Sequence, residues 1–427
     1  MNHNSFLKMG IRETWGGEKP FGLDVPDRRQ HLYIVGKSGT GKTTLLLNSI
    51  IQDIDAGHGV AVIDPHGDLA YEILNHIPRH RTDDVVYFDA TAAEYPIGLN
   101  LLQNVPPERR HRVAAELVYS LKSIWRESWG PRMEYILYAA VAALLDSIDG
   151  SLLGVQRMLS DDEYRHWIVR QVKDPVVRRF WNSEFEQYDE RFRREAVAPI
   201  ENKVGQLLMA PPMRNLLAQV RRKIDARFMM DNRRLFIANL SKGVLGEDKA
   251  NLLGSLLLTS FQLAAMGRAD IAEHKRQDFH LYVDEFHNFT TDSFASILSE
   301  ARKYGLCMTL SHQYIEQLPP TIAAAVFGNV GNLIAFRVGE HDATHLAREF
   351  GDAFQPAEFS SLGNHRVIAK LIDRGEYREP FRGRTLPTIS PGYGTRDNLI
   401  RRSREKYAVA RRIVEDKIER WMHRVHF

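Results

Sequence analysis

The residues best suited to chemistry form one glycine-rich run, Gly36–Thr43, which reads Gly-Lys-Ser-Gly-Thr-Gly-Lys-Thr. Its spacing satisfies G-x-x-x-x-G-K-[ST], in which glycines let the backbone N–H groups and a helix N-terminus converge on phosphate oxygens. Lys42 would contact the β- and γ-phosphates, and the Thr43 hydroxyl would ligate Mg²⁺. The run predicts a site for ATP and Mg²⁺. The predicted nucleotide-binding residues are Gly36, Lys37, Ser38, Gly39, Thr40, Gly41, Lys42, Thr43 and Thr44.

Two adjacent carboxylates, Asp284 and Glu285, follow the apolar run Phe279–Val283. Asp284 is predicted to organise the Mg²⁺ shell, and Glu285 to polarise the water that attacks the γ-phosphate. Such a pair alone is weak evidence, because many strands end in solvated acids. Downstream of a phosphate loop the catalytic interpretation is favoured, and Glu285 points to hydrolysis rather than simple retention of nucleotide.

Three further polar residues follow apolar runs and are candidates for the same site. Gln313 could sense the γ-phosphate or orient water, or it could simply face solvent. Asp64 could support the metal or the water, although a purely structural turn fits equally well. Arg337 could reach the γ-phosphate of a neighbouring subunit as an arginine finger, or be an ordinary surface arginine, with Arg348 as a competitor for that role.

The elements that must position these side chains alternate between short apolar runs and segments with helical spacing. Strands that alternate with crossover helices predict an α/β fold with a mainly parallel sheet covered on both faces. The predicted strands are Leu32–Val35, Val60–Ile63, Val85–Phe88, Leu235–Asn239, His280–Val283, Leu306–Leu310 and Leu333–Phe336.

From about Pro106 to Arg233 the alternation of strands and helices stops, and only amphipathic helical segments are found. A helical block inserted into one nucleotide-binding fold explains this better than two separate domains. The predicted helices of the block are Arg110–Ile124, Met133–Ile148, Asp161–Val172, Val176–Tyr188 and Pro199–Met209. The predicted organisation is a short N-terminal extension (1–30), a P-loop ATPase core (31–105 and 234–379), an inserted all-α domain (106–233), and a linker with a basic C-terminal helix (380–427).

The composition is that of an ordinary soluble globular protein. The chain has 427 residues, of which 44% are hydrophobic and 26% charged, and its net charge is only +3. Wholesale disorder and a disulfide scaffold are excluded, and nucleic-acid binding would need a local basic surface. The single cysteine, Cys307, favours a reducing compartment and a buried structural thiol.

The sequence argues against both a membrane-spanning helix and a structural zinc site. Ala250–Gly267 is nearly long enough to span a bilayer but carries several polar residues, so a buried helix fits better. The N-terminus has no signal-peptide pattern, and we expect a cytoplasmic chain without a membrane span. His66, His280, His287 and His312 lack the close spacing of zinc ligands.

Contacts with DNA would need cations. Lys242 lies in a predicted flexible loop, and repeated around a ring it would give salt-sensitive phosphate contacts; a solvent loop that caps the next helix fits equally well. The basic tail (399–426) interleaves arginines with Tyr407 and Trp421, on which bases could stack. Because Val414 and Ile418 continue the same helical stripe, packing on a neighbouring element is favoured.

These motifs together resemble the HerA/FtsK superfamily of DNA-pumping ATPases, and most closely the TraG/TraD-type coupling ATPases of conjugation and type IV secretion. The similarity covers residues 21–373, most of the chain. The phosphate loop alone is shared by many NTPases, so the specificity comes from the Asp-Pro-His-Gly-Asp run and the inserted helices. The motifs that carry it are Gly36–Thr43, Val62–Leu69, Asn239–Gly243, Val283–Glu285, Leu310–Gln313 and Phe336–Val338.

The resemblance implies a RecA-like motor core that assembles into a hexameric ring around DNA, with ATP between subunits and the helical block as the all-α domain. It makes Gln313 the expected sensor and Arg337 the expected trans finger. Membrane-anchored coupling proteins begin with transmembrane helices and HerA-type enzymes with a β-barrel. This sequence shows neither, so we expect a soluble relative that needs a separate channel, relaxase or nuclease partner.

The sequence therefore predicts an ATPase that moves single- or double-stranded DNA. A protein-handling ATPase of a secretion or pilus system is the main alternative, with the helical block as a substrate-recognition module. A nucleotide-gated scaffold is a third interpretation, against which Glu285 argues.

Overall fold

The structure is a computed structural model that describes residues 6–221, 223–291 and 293–423. Predictions for the remaining residues, at both termini and at 222 and 292, lie outside the described residues. The chain divides into two compact units. The first consists of Met1–Phe88, Ala226–Ser241 and Phe261–Ser403, and the second of Asp89–Asp225, Lys242–Ser260 and Arg404–Phe427.

A large mixed sheet contains eleven strands within the described ranges, in the order β2-β1-β13-β10-β9-β3-β8-β7-β4-β6-β5, and a separate pair, β11-β12, completes the β-structure. The strands are β1 (Phe6–Thr14), β2 (Gly17–Asp24), β3 (Leu32–Val35), β4 (Gly59–Asp64), β5 (Val85–Asp89), β6 (Leu235–Asn239), β7 (Phe279–Val283), β8 (Leu306–His312), β9 (Asn332–Ala335), β10 (Arg366–Lys370), β11 (Ile372–Asp373), β12 (Glu376–Tyr377) and β13 (Phe381–Thr385).

The centre of the sheet is parallel and the side that begins with β10 is antiparallel. Strands β3, β4, β7 and β8 are buried along their whole length, which explains why they read as continuous apolar runs. Strands β3 and β8 pair in parallel, as do β4 and β7, whereas β10 pairs antiparallel with β9 and with β13. All seven predicted strands are present, and the predicted α/β fold class is confirmed.

Eighteen α-helices lie within the described ranges. They are α1 (Lys42–Asp55), α2 (Asp68–Ile73), α3 (Arg110–Ile124), α4 (Pro131–Asp146), α5 (Leu152–Ser160), α6 (Asp162–Gln171), α7 (Pro175–Arg179), α8 (Glu190–Met209), α9 (Pro211–Leu217), α10 (Ala226–Asp231), α11 (Lys242–Leu245), α12 (Glu247–Gly267), α13 (Phe294–Glu300), α14 (Pro320–Asn329), α15 (Glu340–Glu349), α16 (Pro356–Ser360), α17 (Arg396–Tyr407) and α18 (Arg411–Met422).

Helix α1 is the central helix of the first unit. Leu46, Ile50 and Ile54 are fully buried on it and belong to one hydrophobic cluster with Ile34 of β3 and Val62 of β4. Each large apolar side chain buried in this way contributes roughly 1.5–3 kcal/mol. The cluster therefore anchors the helix that follows the glycine-rich run to the middle of the sheet.

The predicted helical block has no strand in 106–221 or 223–233, as predicted, although its residues 226–233 belong to the first unit. The fully buried indole of Trp181 donates a hydrogen bond to the Ala139 carbonyl at 3.2 Å. The predicted helical segment Pro199–Met209 is confirmed, but it is only the second half of a longer helix. Helix α8 begins at Glu190, because the Asp189 carboxylate accepts a hydrogen bond from the Phe192 N–H at 2.8 Å and so caps the helix.

The two ends of the chain differ from the prediction. The N-terminal extension holds the β1–β2 hairpin, which extends the sheet through β13. The predicted linker contains β13, and the single basic helix is two helices, α17 and α18. The unit boundaries also depart from the predicted domains, since residues 89–105 and 242–260 lie in the second unit.

The apolar residues of the basic C-terminal tail pack against a neighbouring element, as the sequence favoured. Val414 and Ile418 are buried, and the Trp421 ring lies edge-on to Tyr164 with centroids 5.5 Å apart. The Arg157 guanidinium lies over the Trp421 ring and donates a hydrogen bond to its carbonyl at 2.9 Å. These contacts hold α18 within the second unit.

One segment, Glu247–Asp270, is long and apolar enough to cross a membrane by length and composition. However, 78% of its apolar window is buried inside the structure, so packing within the structure accounts for its apolar composition. The prediction of a buried helix over Ala250–Gly267 is confirmed by α12.

Candidate functional site

Strand register brings the candidate residues to one edge of the sheet. Val35 pairs with His312 and with Ala335, and Ile63 pairs with Val283. In a parallel sheet the residues that follow these pairs emerge together, at the carboxyl edge where open α/β folds bind ligands. The glycine-rich run, the two acids and Gln313 therefore share one edge.

The phosphate loop, Gly36–Thr43, is tied to the strands on both sides of β3. The Gly36 N–H donates to the His312 carbonyl at 3.3 Å, and the Lys37 N–H donates to the Arg337 carbonyl at 2.8 Å. Gly41 has a φ of 115°, and a Cβ there would lie 2.7 Å from Nδ1 of His365. A side chain is therefore excluded from the turn that starts α1.

Lys42 is buried although it is a lysine, with only 7% of its side chain exposed. Its ammonium donates to the Gly36 and Lys37 carbonyls at 2.6 and 3.2 Å. The lysine side chain therefore folds back onto the loop that precedes it. Burial lowers the pKa of Lys42, and the nearby carboxylates of Glu285 and Asp284 act in the opposite direction. The lysine thus faces the two acids that the sequence places far downstream.

Asp284 and Glu285 are both buried after the end of β7, at 6% exposure each. Burial, together with the charges of Asp64 and Glu285, raises the pKa of Asp284 to about 7. Three carboxylates close together in a buried setting are held at high electrostatic cost. A cation is the group that would relieve it.

Glu285 has a left-handed backbone, with φ 44° and ψ 47°, which is uncommon for a residue other than glycine. One carboxylate oxygen, Oε1, accepts a hydrogen bond from the Gln313 amide at 3.0 Å. The other, Oε2, is buried without a hydrogen-bond partner among the described residues and lies 3.5 Å from Nδ1 of His287. A strained acid with an unused oxygen is typical of a residue that acts on a ligand.

Asp64 has a structural role in this geometry. One carboxylate oxygen accepts a hydrogen bond from the His66 N–H at 2.8 Å, and the other accepts from the Ala70 N–H at 2.9 Å. It therefore holds the turn that leads into α2. Its charge still reaches the site, because it raises the pKa of Asp284.

Arg337 lies beside its own phosphate loop, to which its backbone carbonyl is bonded. Its guanidinium donates to the Leu362 carbonyl at 3.4 Å and to the Asn364 side chain at 3.2 Å. Lys242, predicted on a flexible loop, is instead the first residue of α11 in the second unit. Its carbonyl accepts the Gly246 N–H at 2.9 Å, which fixes the segment as a helical turn.

Sequence reasoning missed two supports of the phosphate loop. His365 has a left-handed φ of 61°, and its N–H donates to the Thr40 carbonyl at 2.8 Å. Tyr33, inside β3, places its hydroxyl 2.5 Å from Nε2 of the buried His312. The polar Tyr33 in an otherwise apolar strand was the available signal for the second contact, whereas nothing in the sequence pointed to the first.

The residues present fit a nucleotide with Mg²⁺. Among the described residues, the buried Lys42 ammonium donates to loop carbonyls, burial and neighbouring carboxylates raise the pKa of Asp284, and Oε2 of Glu285 has no hydrogen-bond partner. Thr43 is the second residue of α1, directly after Lys42. The fold and loop are those of the RecA-like P-loop ATPases.

Comparisons with known proteins agree with this class. Residues 14–121 match the family model for the central domain of helicase HerA, and residues 278–365 match that for the TraM recognition site of TraD and TraG. No curated protein sequence matches the chain significantly. The predicted resemblance to the HerA/FtsK superfamily and its TraG/TraD-type coupling ATPases is confirmed.

Solved structures with the same fold cover most of the chain at low identity. The bacterial conjugative coupling protein TrwBΔN70 has a TM-score of 0.63 at 14% identity, over 86% of this chain and 87% of that one. TrwB in complex with ADP and Mg²⁺ has a TM-score of 0.61 at 14% identity, over 87% and 88%. VirB4 of Thermoanaerobacter pseudethanolicus has a TM-score of 0.60 at 14% identity, over 93% and 99%.

Proposed function

We propose that this chain is an ATP-driven DNA translocase of the HerA/FtsK type, which hydrolyses ATP at the subunit interfaces of a hexameric ring in the cytoplasm. The observation that carries the proposal is the contact between Glu285 and Gln313 beside the buried Lys42. A site for nucleotide retention alone has no use for a strained, partly unpaired acid next to the phosphate loop.

In the proposed mechanism the loop N–H groups and Lys42 would bind the phosphates, while Thr43 and Asp284 would hold the metal. When bound, Mg²⁺ neutralises charge on the β- and γ-phosphate oxygens. Glu285 accepts the proton of the attacking water through Oε2, and Gln313 orients the carboxylate through Oε1. Asp64 supports this arrangement by fixing the turn and adding negative charge near Asp284.

The proposed role of Arg337 is the trans finger of a neighbouring subunit. Its backbone lies next to its own phosphate loop, so a role in its own site is the competing assignment. Mixing Arg337→Ala subunits with Lys42→Ala subunits separates the two. A trans finger restores turnover in interfaces that combine an intact loop with an intact arginine, whereas an arginine acting in its own site gives no more activity than the parental mutants.

The proposed coupling of ATP hydrolysis to DNA movement is supported by the descriptions of the similar proteins. TrwB is described as a plasmid coupling protein and HerA as a helicase. By this likeness the chain would act on DNA together with relaxosome components, and Lys242 would contribute phosphate contacts. Its position at the start of α11 presents one cation, which repeated around a ring gives an additive, salt-sensitive interaction.

A second candidate function is a protein-handling ATPase. The family model for a TraM recognition site over residues 278–365 favours it. That stretch also contains Asp284, Glu285 and Gln313, so in this chain the match covers the hydrolytic residues themselves. The model's name therefore supports a protein partner without arguing against a DNA motor.

The deciding experiment measures the ATPase rate of the full chain with no nucleic acid, with single-stranded DNA and with double-stranded DNA, at two salt concentrations. A DNA motor shows stimulation that weakens at the higher salt. Lys242→Ala reduces the stimulation without changing the basal rate, and Lys303→Ala, an exposed lysine of the first unit, serves as its control. ATPase activity that responds to a candidate protein partner but to neither form of DNA would favour the second function.

A further inference from the structure

A second polar cluster lies at the opposite edge of the sheet from the phosphate loop. It joins Asp53 near the C-terminus of α1, His58 on the connection to β4, and His280 near the start of β7. One ligand atom from each of the three, a carboxylate oxygen and two imidazole nitrogens, lies within 4.8 Å of the others. The first unit contains all three residues.

The end of α1 fixes the first two residues relative to each other. The His58 N–H donates to the Asp53 carbonyl at 2.9 Å, and the Gly57 N–H donates to the Ile54 carbonyl at 3.1 Å, with φ 80° at Gly57. This is the Schellman arrangement, in which glycine supplies the left-handed turn. Arg81 donates to the His58 carbonyl as well, so His58 is fixed by its backbone while its ring stays partly exposed.

Asp53 is oriented by two neighbours. Arg28 donates to both carboxylate oxygens, at 2.5 Å to Oδ1 and 2.7 Å to Oδ2, and the Tyr282 hydroxyl donates to Oδ2 at 2.5 Å. A carboxylate offers about four lone-pair positions, so one position on Oδ1 remains. Metal-binding carboxylates are commonly held by such outer hydrogen bonds.

His280 is the observation that points to a ligand. Its side chain is 1% exposed, and among the described residues neither Nδ1 nor Nε2 has a hydrogen-bond partner. A buried polar group left unsatisfied costs about 1–3 kcal/mol. Its ring lies 5.0 Å from the His58 ring, at 76° to it. A group that binds both imidazoles would satisfy it.

We infer that Asp53, His58 and His280 form a binding site for a divalent transition-metal ion of the Zn²⁺ type. Two imidazoles and one carboxylate are a common ligand set for such ions. Zn–N and Zn–O distances of about 2.0–2.2 Å require ligand atoms closer together than 4.8 Å, and the partly exposed His58 ring supplies the adjustment. Water at the exposed side completes the coordination.

The surroundings set the chemistry of the site. Burial lowers the pKa of His280 and that of His58, which favours the uncharged ring that metal binding requires. The positive charge of Arg28 repels a cation at this site and so weakens the affinity for the metal ion. Sequence analysis rejected zinc because the histidines lack the close spacing of zinc ligands and the chain has a single cysteine, and it could not show that His58 and His280, far apart in the chain, lie close together in the fold.

The ion would link the far ends of two elements of the nucleotide site. Helix α1 begins at Lys42 and ends near Asp53, while β7 begins near His280 and leads to Asp284. Metal binding at this edge therefore stabilises the sheet beneath the phosphate loop without touching the nucleotide. We expect it to raise the melting temperature and to leave nucleotide affinity largely unchanged.

The test uses the full chain, freed of metal with a chelator and kept without nucleotide. Co²⁺ is titrated while visible absorption is recorded, and Zn²⁺ is then added as competitor. The wild type is expected to show a saturable band at one Co²⁺ per chain that Zn²⁺ abolishes, and Zn²⁺ is expected to raise its melting temperature. Tyr282→Phe, which removes an outer hydrogen bond, is expected to bind Co²⁺ about tenfold more weakly.

The variants His58→Asn and His280→Leu are expected to lose the band and the thermal shift. His280→Leu removes an imidazole without partners, so the metal-free variant is expected to melt no lower than the wild type, which separates lost binding from misfolding. His341→Asn, with a 78% exposed imidazole, and Asp284→Asn are controls that keep the band. Absence of a saturable band, a band unchanged in both histidine variants, or a band lost only in Asp284→Asn would overturn the inference.

Discussion

Helix α1 and strand β7 carry polar clusters of opposite character at their two ends. At the phosphate-loop end, Asp284 and Glu285 are buried with uncompensated charge, and the pKa of Asp284 is raised to about 7. At the other end, Asp53 is equally buried, but the Arg28 guanidinium and the Tyr282 hydroxyl outweigh the effect of burial and hold the pKa of that carboxyl well below its usual range.

The two ends differ in how their acidic charge is compensated. Both clusters use buried acids and a nearby cation, and burial alone does not distinguish them. What distinguishes them is pairing: Arg28 donates to both oxygens of Asp53, whereas Lys42 donates to backbone carbonyls. Pairing at the Asp53 end stabilises the fold, whereas the acids at the other end are the proposed hydrolytic residues.

The largest effect is expected for Lys42→Ala. Since its ammonium is the buried cation of the loop, its loss should remove nucleotide binding and reduce ATP turnover by at least about 100-fold. Nucleotide titration calorimetry and a phosphate-release assay measure the two effects. Lys19→Ala, an exposed lysine on β2, is the control, and equal activity of both variants would contradict the assignment.

Pairing at the Asp53 end is tested by Arg28→Ala. Removing Arg28 leaves Asp53 buried without its counter-charge, which should lower the free energy of unfolding by about 3–5 kcal/mol. Arg29→Ala is the matched control, because Arg29 is 40% exposed and its pair with Asp278 should be worth at most about 1 kcal/mol. Urea denaturation of both variants decides between them, and similar losses would show that Asp53 is not stabilised by pairing.

The features of the two ends that can be predicted from the sequence are those formed by contiguous residues. The glycine spacing of the loop and the acids after β7 are visible because each motif is contiguous and follows a buried parallel strand. The β1–β2 hairpin was missed because its strands mix apolar, glycine and charged residues, as antiparallel strands with one exposed face do. Strand β10 was missed because its apolar run is only three residues long, between Arg366 and Lys370. The pairs Arg28–Asp53 and His58–His280 form because the sheet topology brings distant parts of the chain together, and residue spacing along the sequence does not predict that topology.

A smaller effect on stability is expected from Asp284→Asn. Between the ordinary carboxyl pKa and about 7 the folded protein binds a proton at Asp284 that the unfolded chain does not, so the free energy of unfolding decreases as pH rises through that window. The amide removes this dependence and should make the nucleotide-free variant more stable than the wild type at pH 8, by roughly 2–4 °C for each kcal/mol gained.

The measurement is thermal unfolding from pH 4 to 8 without Mg²⁺. The two curves should converge at low pH, where Asp284 is protonated in both the folded and the unfolded chain. A difference between the proteins that is constant across the range, or a wild type more stable at pH 8, would show that the acids at this end are not held at electrostatic cost.

The smallest effect is expected for Gln313→Ala, which removes the hydrogen bond to Oε1 of Glu285. Loss of one hydrogen bond to a charged group corresponds to about 1.5 kcal/mol, or roughly tenfold in kcat, with KM for ATP little changed. Steady-state kinetics separate the two constants. A rise in KM at constant kcat would instead assign Gln313 to nucleotide binding.

Glu285→Gln tests the central claim most directly, because it keeps the shape of the side chain and removes only the base. The account predicts that this variant binds ATP with Mg²⁺ as tightly as the wild type but releases phosphate at least about 100-fold more slowly, with or without DNA. Glu376→Gln, an exposed acid on β12, should behave as the wild type does. Undiminished phosphate release by Glu285→Gln would contradict the claim that the acid after β7 drives hydrolysis.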